Sequence, residues 1–272
     1  MNNWPGGTIA QISDSRLFCC GLLLVFSAAS FRAHALPDEL QVHLDETAKP
    51  GQWSADVLSS YALSSPRKPA EAGLRPSLRS LQISPEFAYG VGRNTEINFQ
   101  LYASIDAGGQ SRVDGARFGA AFVPIRPDDD DDDGVFFGGL VEVGRLPRTL
   151  SANRLDAELK LILGYRTGRW LFGINPEIGV KLSGPGSSAP DLSISAKLAY
   201  RLDQACSLGV EHYGDLGQAR RVGPLRRQNQ QTFGVADFKA RAIDFSVGLG
   251  RGWNDASARW TIKTRVSLAL EK

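Results

Sequence analysis

After residue 51 the chain alternates apolar with small or polar residues over runs far longer than ordinary strands. Leu155, Ala157, Leu159, Leu161, Leu163 and Tyr165 alternate with Asp156, Glu158, Lys160, Ile162, Gly164 and Arg166. A repeat of two places successive side chains on opposite faces of a strand, so this one has a greasy face and a wet face. Two further runs follow: Trp170, Phe172, Ile174, Pro176, Ile178, Val180 and Leu182, then Leu192, Ile194, Ala196, Leu198, Tyr200 and Leu202. The last is Ala258, Trp260, Ile262, Thr264, Val266, Leu268 and Leu270.

Counted in this way, the sequence predicts about twelve strands: 52–62, 80–89, 95–105, 113–123, 135–145, 154–166, 170–182, 192–203, 206–216, 231–239, 242–252 and 257–270. Strands in soluble sandwiches commonly run about 5 or 6 residues. A tilted strand that crosses a bilayer needs roughly 9 to 11. Length and the charged alternate face therefore point to an all-β fold, a transmembrane antiparallel up-and-down barrel over 51–272.

The connections and aromatics agree with this. Numbered from a periplasmic N-terminus, the even connections are short apart from 124–134, and most odd ones are long, as outer-membrane barrels require. On this topology Trp53, Tyr89, Tyr165, Trp170 and Tyr200 fall on the apolar face near the periplasmic end, an aromatic girdle. Pro85 and Pro176 lie inside strands, each removing a ladder donor, and each predicts a bulge. The face of strand 231–239, with Asp237 beside Phe238, is ambiguous. The chain closes on Leu270, Glu271 and Lys272, where such barrels commonly carry an aromatic.

The first 50 residues, before the strands, read differently. Arg16, the apolar stretch 17–29 and the small-residue site Ala33-His34-Ala35 form the three parts of a secretory signal peptide over 1–35. That apolar run is too short for a spanning helix, which needs roughly 18 to 20 residues, and this excludes a helical transporter. Leu36, Leu40 and Leu44 recur at helical spacing after Pro37-Asp38-Glu39. Segment 36–50 is thus expected to lie beneath the barrel in the periplasm or to enter it as a plug.

Composition narrows the chemistry. The formal charge is +2, and losing Arg16, Arg32 and Asp14 with the leader leaves +1, which makes no case for nucleic acid. Only Cys206 then remains of three cysteines, which excludes an internal disulfide and a multi-cysteine metal site. Gly248, Gly250 and Gly252 alternate along one strand face and lack the strand-to-helix setting of a dinucleotide loop; they read as a side-chain-free wall where something approaches closely. The acidic run 128–133 has Leu140 where an EF-hand loop needs Glu, so a solvated turn is favoured over a weak cation site. No metal or cofactor is expected.

The wet faces supply the lumen candidates Glu96, Glu142, Asp156, Glu158, Lys160, Glu177, Lys181, Lys197, Arg201, Glu211, Asp244, Arg259, Lys263 and Arg265. Acids and bases on neighbouring strands can pair across the ladder and narrow the lumen. Arg220, Arg221, Arg226 and Arg227 crowd the fifth outer loop, where guanidinium forks suit lipopolysaccharide phosphates or an anionic solute. His212 falls on the apolar face near the outer end, the position a lipid-modifying enzyme would use. A nucleophile within reach is needed, and Ser207 faces the lumen near the opposite end.

The segments DELQVHLDE (38–46), PGQW (50–53), PEFAYGV (85–91), LGVEHYGDLG (208–217) and GLGRGWNDAS (248–257) resemble a family of proteobacterial outer-membrane β-barrel proteins, loosely similar to barrels associated with aromatic-compound degradation. The resemblance spans most of the mature chain and departs at 128–133, where the family has a milder charged turn. It implies location, fold and an uptake role, and supplies no catalytic set. The expectation is an outer-membrane channel or transporter for a small solute in a Gram-negative cell. As partners it implies outer-membrane lipids, lipopolysaccharide and the barrel-assembly machinery, with a monomeric barrel. The alternatives are an outer-membrane lipid-modifying enzyme, or a non-conducting structural or adhesive barrel.

Overall fold

A computed structural model describes residues 40–65, 77–127, 133–146, 155–184, 189–220, 222–240 and 243–270. The predicted leader 1–35 lies outside the described residues. Twelve antiparallel strands close into a barrel: β1 Trp53–Ser64, β2 Leu81–Gly92, β3 Thr95–Ile105, β4 Ser111–Ile125, β5 Gly134–Arg145, β6 Leu155–Thr167, β7 Trp170–Ser183, β8 Asp191–Arg201, β9 Cys206–Gln218, β10 Asn229–Ala240, β11 Ile243–Gly252 and β12 Trp260–Leu270. Each strand pairs with its sequence neighbours, and β1 pairs with β12, with Val57 opposite Val266. No edge is left unpaired, which is what a β-structure needs to cross a bilayer.

One end carries short turns, Arg93-Asn94, Gly168-Arg169 and 202–205. The opposite end carries the connections that include 65–80 and 219–228. Short turns at one end and long loops at the other is the arrangement that outer-membrane barrels have. The predicted girdle is present at the short-turn end. Trp53 and Trp170 are about half exposed on the outer wall, and each indole packs on a neighbouring tyrosine, Trp53 on Tyr89 at 5.0 Å and Trp170 on Tyr200 at 4.8 Å. Above it runs an apolar band that includes Phe172, Leu198, Val210 and Leu249, all exposed.

Pro85 and Pro176 do not make bulges. Pairing between β2 and β3 lapses between Ile83/Ala103 and Glu86/Gln100, and resumes in the same register. Around Pro176 the β6–β7 ladder lapses between Lys160/Glu177 and Leu163/Ile174, again without a shift. A missing donor removes a bond without adding a residue, so the strand stays in step. Near Pro176, Asn175 Nδ2 donates to Leu161 O at 3.1 Å, bringing a side-chain amide to a carbonyl within the lapse. Register does shift elsewhere, for instance between Phe122 and Ile125, where Pro124 sits.

Residues 40–50 are not helical, contrary to the leucine spacing. They run through the lumen without regular structure, from Leu40, whose carbonyl accepts from Lys263 Nζ at 2.9 Å, to Pro50, which bridges Gly90 at the short-turn end. Leu40, Val42 and Leu44 instead meet apolar side chains that line part of the wall: Leu40, Val42 and Leu44 join Tyr213, Phe233 and Val235, and Leu44 also reaches Phe136 and Ile162. An extended chain sends Leu40, Val42 and Leu44 to one side, which serves that wall as a helix would not.

Candidate functional site: the lumen and its inner segment

Parity along each strand decides which side chains fill the lumen. On β10, buried Phe233 and Val235 fix the inward face, so Asp237 points inward and Phe238 outward. Asp237 then meets Lys197 Nζ at 2.8 Å. The ambiguous strand is thereby settled.

The wall from β2 to β7 is filled by paired charges and amides. Arg117, 1% exposed, lies between Glu158, which it contacts directly, and Glu142 at 3.7 Å. Lys160 pairs with Glu177 at 3.3 Å, and Asn98 Nδ2 donates to Glu86 Oε1 at 2.7 Å. Asp156 is also buried here. Opposite charges buried on a lumen wall attract more strongly than in bulk water, and removing one partner is costly.

The wall from β8 to β12 carries one continuous network. Lys197 reaches Glu211 at 3.0 Å, Glu211 contacts Lys263, and Lys263 also reaches Tyr213 Oη at 2.8 Å. Tyr213 Oη in turn donates to Glu211 Oε2 at 2.6 Å. Arg265 Nε donates to Asp56 Oδ1 at 2.8 Å across the closure of the barrel.

The inner segment is fastened to both walls. Asn175, 1% exposed, accepts from His43 N at 2.8 Å and donates to His43 O at 2.9 Å, so one amide pairs with both backbone groups. Glu96 Oε2 accepts from Ala48 N at 2.7 Å. Arg166 is ion-paired with Asp45, and Arg126 Nη1 donates to Thr47 Oγ1 at 2.8 Å. Glycine makes room for it: a Cβ on Gly90 would collide with the carbonyl oxygens of Ala48 and Lys49, and one on Gly173 with Leu44.

A chamber of about 510 Å³ lies between the segment and β8 to β12 and reaches the short-turn end. Leu40 and Val42 form its inner side, Lys197, Glu211 and Lys263 line its wall, and Arg169, Arg201 and Ser207 stand toward the short-turn end. Asp244 and Arg265 also line it. Of the other lumen candidates, Lys181 lies near the long-loop end and pairs with Asp191 at 3.3 Å. Arg259 lies outside the lumen wall: it precedes β12 in an exposed turn, where its backbone N donates to Ser64 O at 2.7 Å. Sequence reasoning missed Arg117, Asn175, Asp237 and Tyr213, the residues that organise the lumen. Strict parity on β4 and β10 carries a signal for Arg117 and Asp237, whereas nothing local marks Asn175 as an anchor.

The alternating glycines of β11 do mark close approach. Phe233 lies over Gly250, and Val235 and Lys263 over Gly248. Of the acidic run, 128–132 lie outside the described residues, and Asp133 accepts from Gly168 N at 2.6 Å across the short-turn end. Arg220 and Arg226 are exposed at the long-loop end, and Arg221 lies outside the described residues. Arg227 closes the short 3-10 turn Leu225–Arg227.

His212 stands on the outer wall, as its parity with Val210 requires. Its partner is Thr232 and not a serine: Nδ1 lies 3.0 Å from Thr232 Oγ1, and Nε2 lies 2.8 Å from Gln230 Oε1. Trp253 Nε1 donates to the same Thr232 oxygen at 2.8 Å and its ring lies 4.9 Å from the imidazole.

No known protein-family model matches the sequence, and no curated protein matches it. Solved structures do share its fold. An outer membrane channel from Pseudomonas putida F1 superposes with a TM-score of 0.57 at 14% identity, covering 85% of this chain and 100% of that one. The KdgM porin superposes with a TM-score of 0.52 at 10% identity, over 80% of this chain and 99% of that one. The same porin in complex with disordered oligogalacturonate gives 0.51 at 10% identity, with the same coverage. At these identities the likeness is one of fold, that of the outer-membrane barrel channels.

Proposed function

We propose that the protein is an outer-membrane channel that passes a small solute through a lumen narrowed by its own N-terminal segment. One observation carries this reading: the segment 40–50 is held in the lumen by Asn175, Glu96, Arg166 and Lys263, yet leaves a chamber of about 510 Å³ along β8 to β12. A cavity of that size suits a small molecule. The neighbouring structures support the reading, since those sharing the fold include an outer membrane channel and a porin. Export by the leader 1–35 and assembly in the outer membrane of a Gram-negative cell belong to the same proposal. So does uptake of the solute, the role that the sequence resemblance implies.

Paired charges set the character of the passage. Lys197, Glu211, Asp237 and Lys263 offset one another, so the wall presents dipoles and hydrogen-bonding groups instead of one sign of charge. Solute polarity and width, more than net charge, then decide passage. Single-channel recording in planar bilayers with a panel of small aromatic acids and sugars tests this. Discrete steps reduced by one member of the panel support the channel, and silence under every condition refutes it.

A second reading, lipid modification, is favoured by the Thr232–His212–Gln230 contacts on the outer wall. The Trp253 N–H already occupies the Thr232 oxygen, and a donor there weakens a nucleophile. Hydrolysis of a fluorogenic ester that His212→Ala abolishes would establish this activity; equal rates for the two proteins would end it.

A further inference from the structure

One row of side chains on the outer wall, at the long-loop end, departs from the apolar band beneath it. The register aligns His212 with Thr232, Thr232 with Arg251, and Arg251 with Trp260. Two residues nearer the middle of the same four strands stand Val210, Gly234, Leu249 and Ile262, an apolar strip. Arg251 is thus an exposed guanidinium on the lipid-facing side, at the level where the greasy surface stops.

Among the described residues its one partner is the Trp260 ring, 5.7 Å from the guanidinium carbon, and no carboxylate pairs with it. A ring face attracts a cation without neutralising it. Charge on the lipid face of a barrel is costly toward the membrane midplane and tolerated at the interface, so the Arg251 head must sit among headgroups. Its five donors form a fork that matches phosphate oxygens two at a time.

The surroundings are built, and not a lone rim charge. Trp253 and Trp260, 59% and 42% exposed, stand on this part of the wall, Trp253 pinned by its bond to Thr232 and its packing on His212. Indoles favour the headgroup level, where an apolar body and a polar edge are both satisfied. Asn254 Nδ2 donates to Leu225 O at 2.9 Å and Gln228 O at 3.0 Å. These bonds tie the Trp253 loop to the loop that carries exposed Arg226, a second cation above the same wall.

We infer that the outer wall of β9 to β12 at the long-loop end is a binding site for a phosphorylated lipid of the outer leaflet. Arg251 takes the phosphate and Trp253 and Trp260 flank the headgroup. The inference rests on the barrel lying in a membrane and not on its conducting.

The test uses the full protein in nanodiscs of phosphatidylcholine doped with a diphosphorylated lipid A, transferred to native mass spectrometry. One doped lipid should remain bound to the wild type, and the dephosphorylated lipid should not. Arg251→Gln should weaken retention about tenfold or more, the worth of a charge-assisted hydrogen bond. Arg251→Lys, which keeps the charge and loses the fork, should fall between the two. Arg145→Gln is the control, because Arg145 is exposed at the same end of β5 and has no such aromatic contact among the described residues. It should leave retention unchanged. Equal losses for Arg251→Gln and Arg145→Gln, equal retention of the dephosphorylated lipid, or displacement by inorganic phosphate at equal concentration would each overturn the site. Unchanged conductance in Arg251→Gln is expected, which separates this inference from the channel reading.

Discussion

Asn175→Ala should loosen the inner segment and open the lumen. The amide makes four bonds: with His43 N and His43 O at 2.8 and 2.9 Å, with Leu161 O at 3.1 Å and with Ser195 Oγ at 3.3 Å. Only the two to His43 hold the segment in place. Each such bond contributes about 1 kcal/mol net, so their loss favours the displaced segment by about 2 kcal/mol, roughly a thirtyfold rise in the displaced-to-seated ratio. The Leu161 bond is lost whether the segment is seated or not, so it weakens the barrel without biasing the segment. In planar bilayers the variant should show wide openings about thirty times as often as the wild type, at the same protein density. A companion measurement, the temperature at which the folded band shifts on a gel, separates loosening from unfolding. Unchanged opening frequency in a variant that still migrates as a folded barrel would refute the reasoning, because the segment would then owe its position to other contacts.

Gly90→Ala should act in the same direction by crowding, since its methyl group would meet the Ala48 and Lys49 carbonyl oxygens, backbone atoms that cannot swing aside; conductance should rise, and wild-type conductance would contradict the contact. Arg117→Met should lower the thermal unfolding temperature, because it removes the cation beside buried Glu158 and Glu142 at a cost of about 3 to 5 kcal/mol. Restoring stability with a second change, Glu158→Gln, would show that the lost pair was the cause; no destabilisation by the first change would contradict its burial. Lys263→Met should both destabilise the barrel and raise the frequency of wide openings, since this cation holds Glu211 and also Leu40 O. Destabilisation with no effect on openings would show that the Leu40 contact does not seat the segment.

Much of the barrel was legible in the sequence, and physics explains where legibility ended. A strand with lipid on one side and water or paired charge on the other must alternate over its whole length, so β6, predicted over 154–166, appears at Leu155–Thr167. Every residue of such a strand reports its own environment. The inner segment has no such obligation. Leu40 and Leu44 matched a helical spacing and also an extended one, and only the lumen wall, with Tyr213, Phe233 and Phe136 set on three separate strands, decides between them.

The same limit governed the site. Glu158 and Lys160 were recognisable as lumenal from local alternation, whereas their partners follow from the stagger of strands, which local sequence does not encode. Arg117 reaches past β5 to Glu158 on β6. Asn175 looked like any polar residue beside a proline. Its role depends on a chain that meets it from 132 residues away in sequence. His212 was placed correctly on the outer wall, yet its partner Thr232 belongs to the neighbouring strand β10 and its covering Trp253 to a loop.

Position 207 offers the most direct test of the central claim, that solute passes beside the inner segment along β8 to β12. Ser207 shares the inward face of β9 with Glu211 and Tyr213 and lines the chamber near the short-turn end, whereas Cys206 is the register partner of outward-facing Phe238. A protein carrying Ser207→Cys and Cys206→Ser, recorded in a planar bilayer, should conduct in small discrete steps, and a bulky thiol reagent added on the short-turn side should reduce them, with Cys206→Ser alone insensitive. Currents unaffected by modification at position 207, confirmed by mass, would place the path elsewhere and contradict the account.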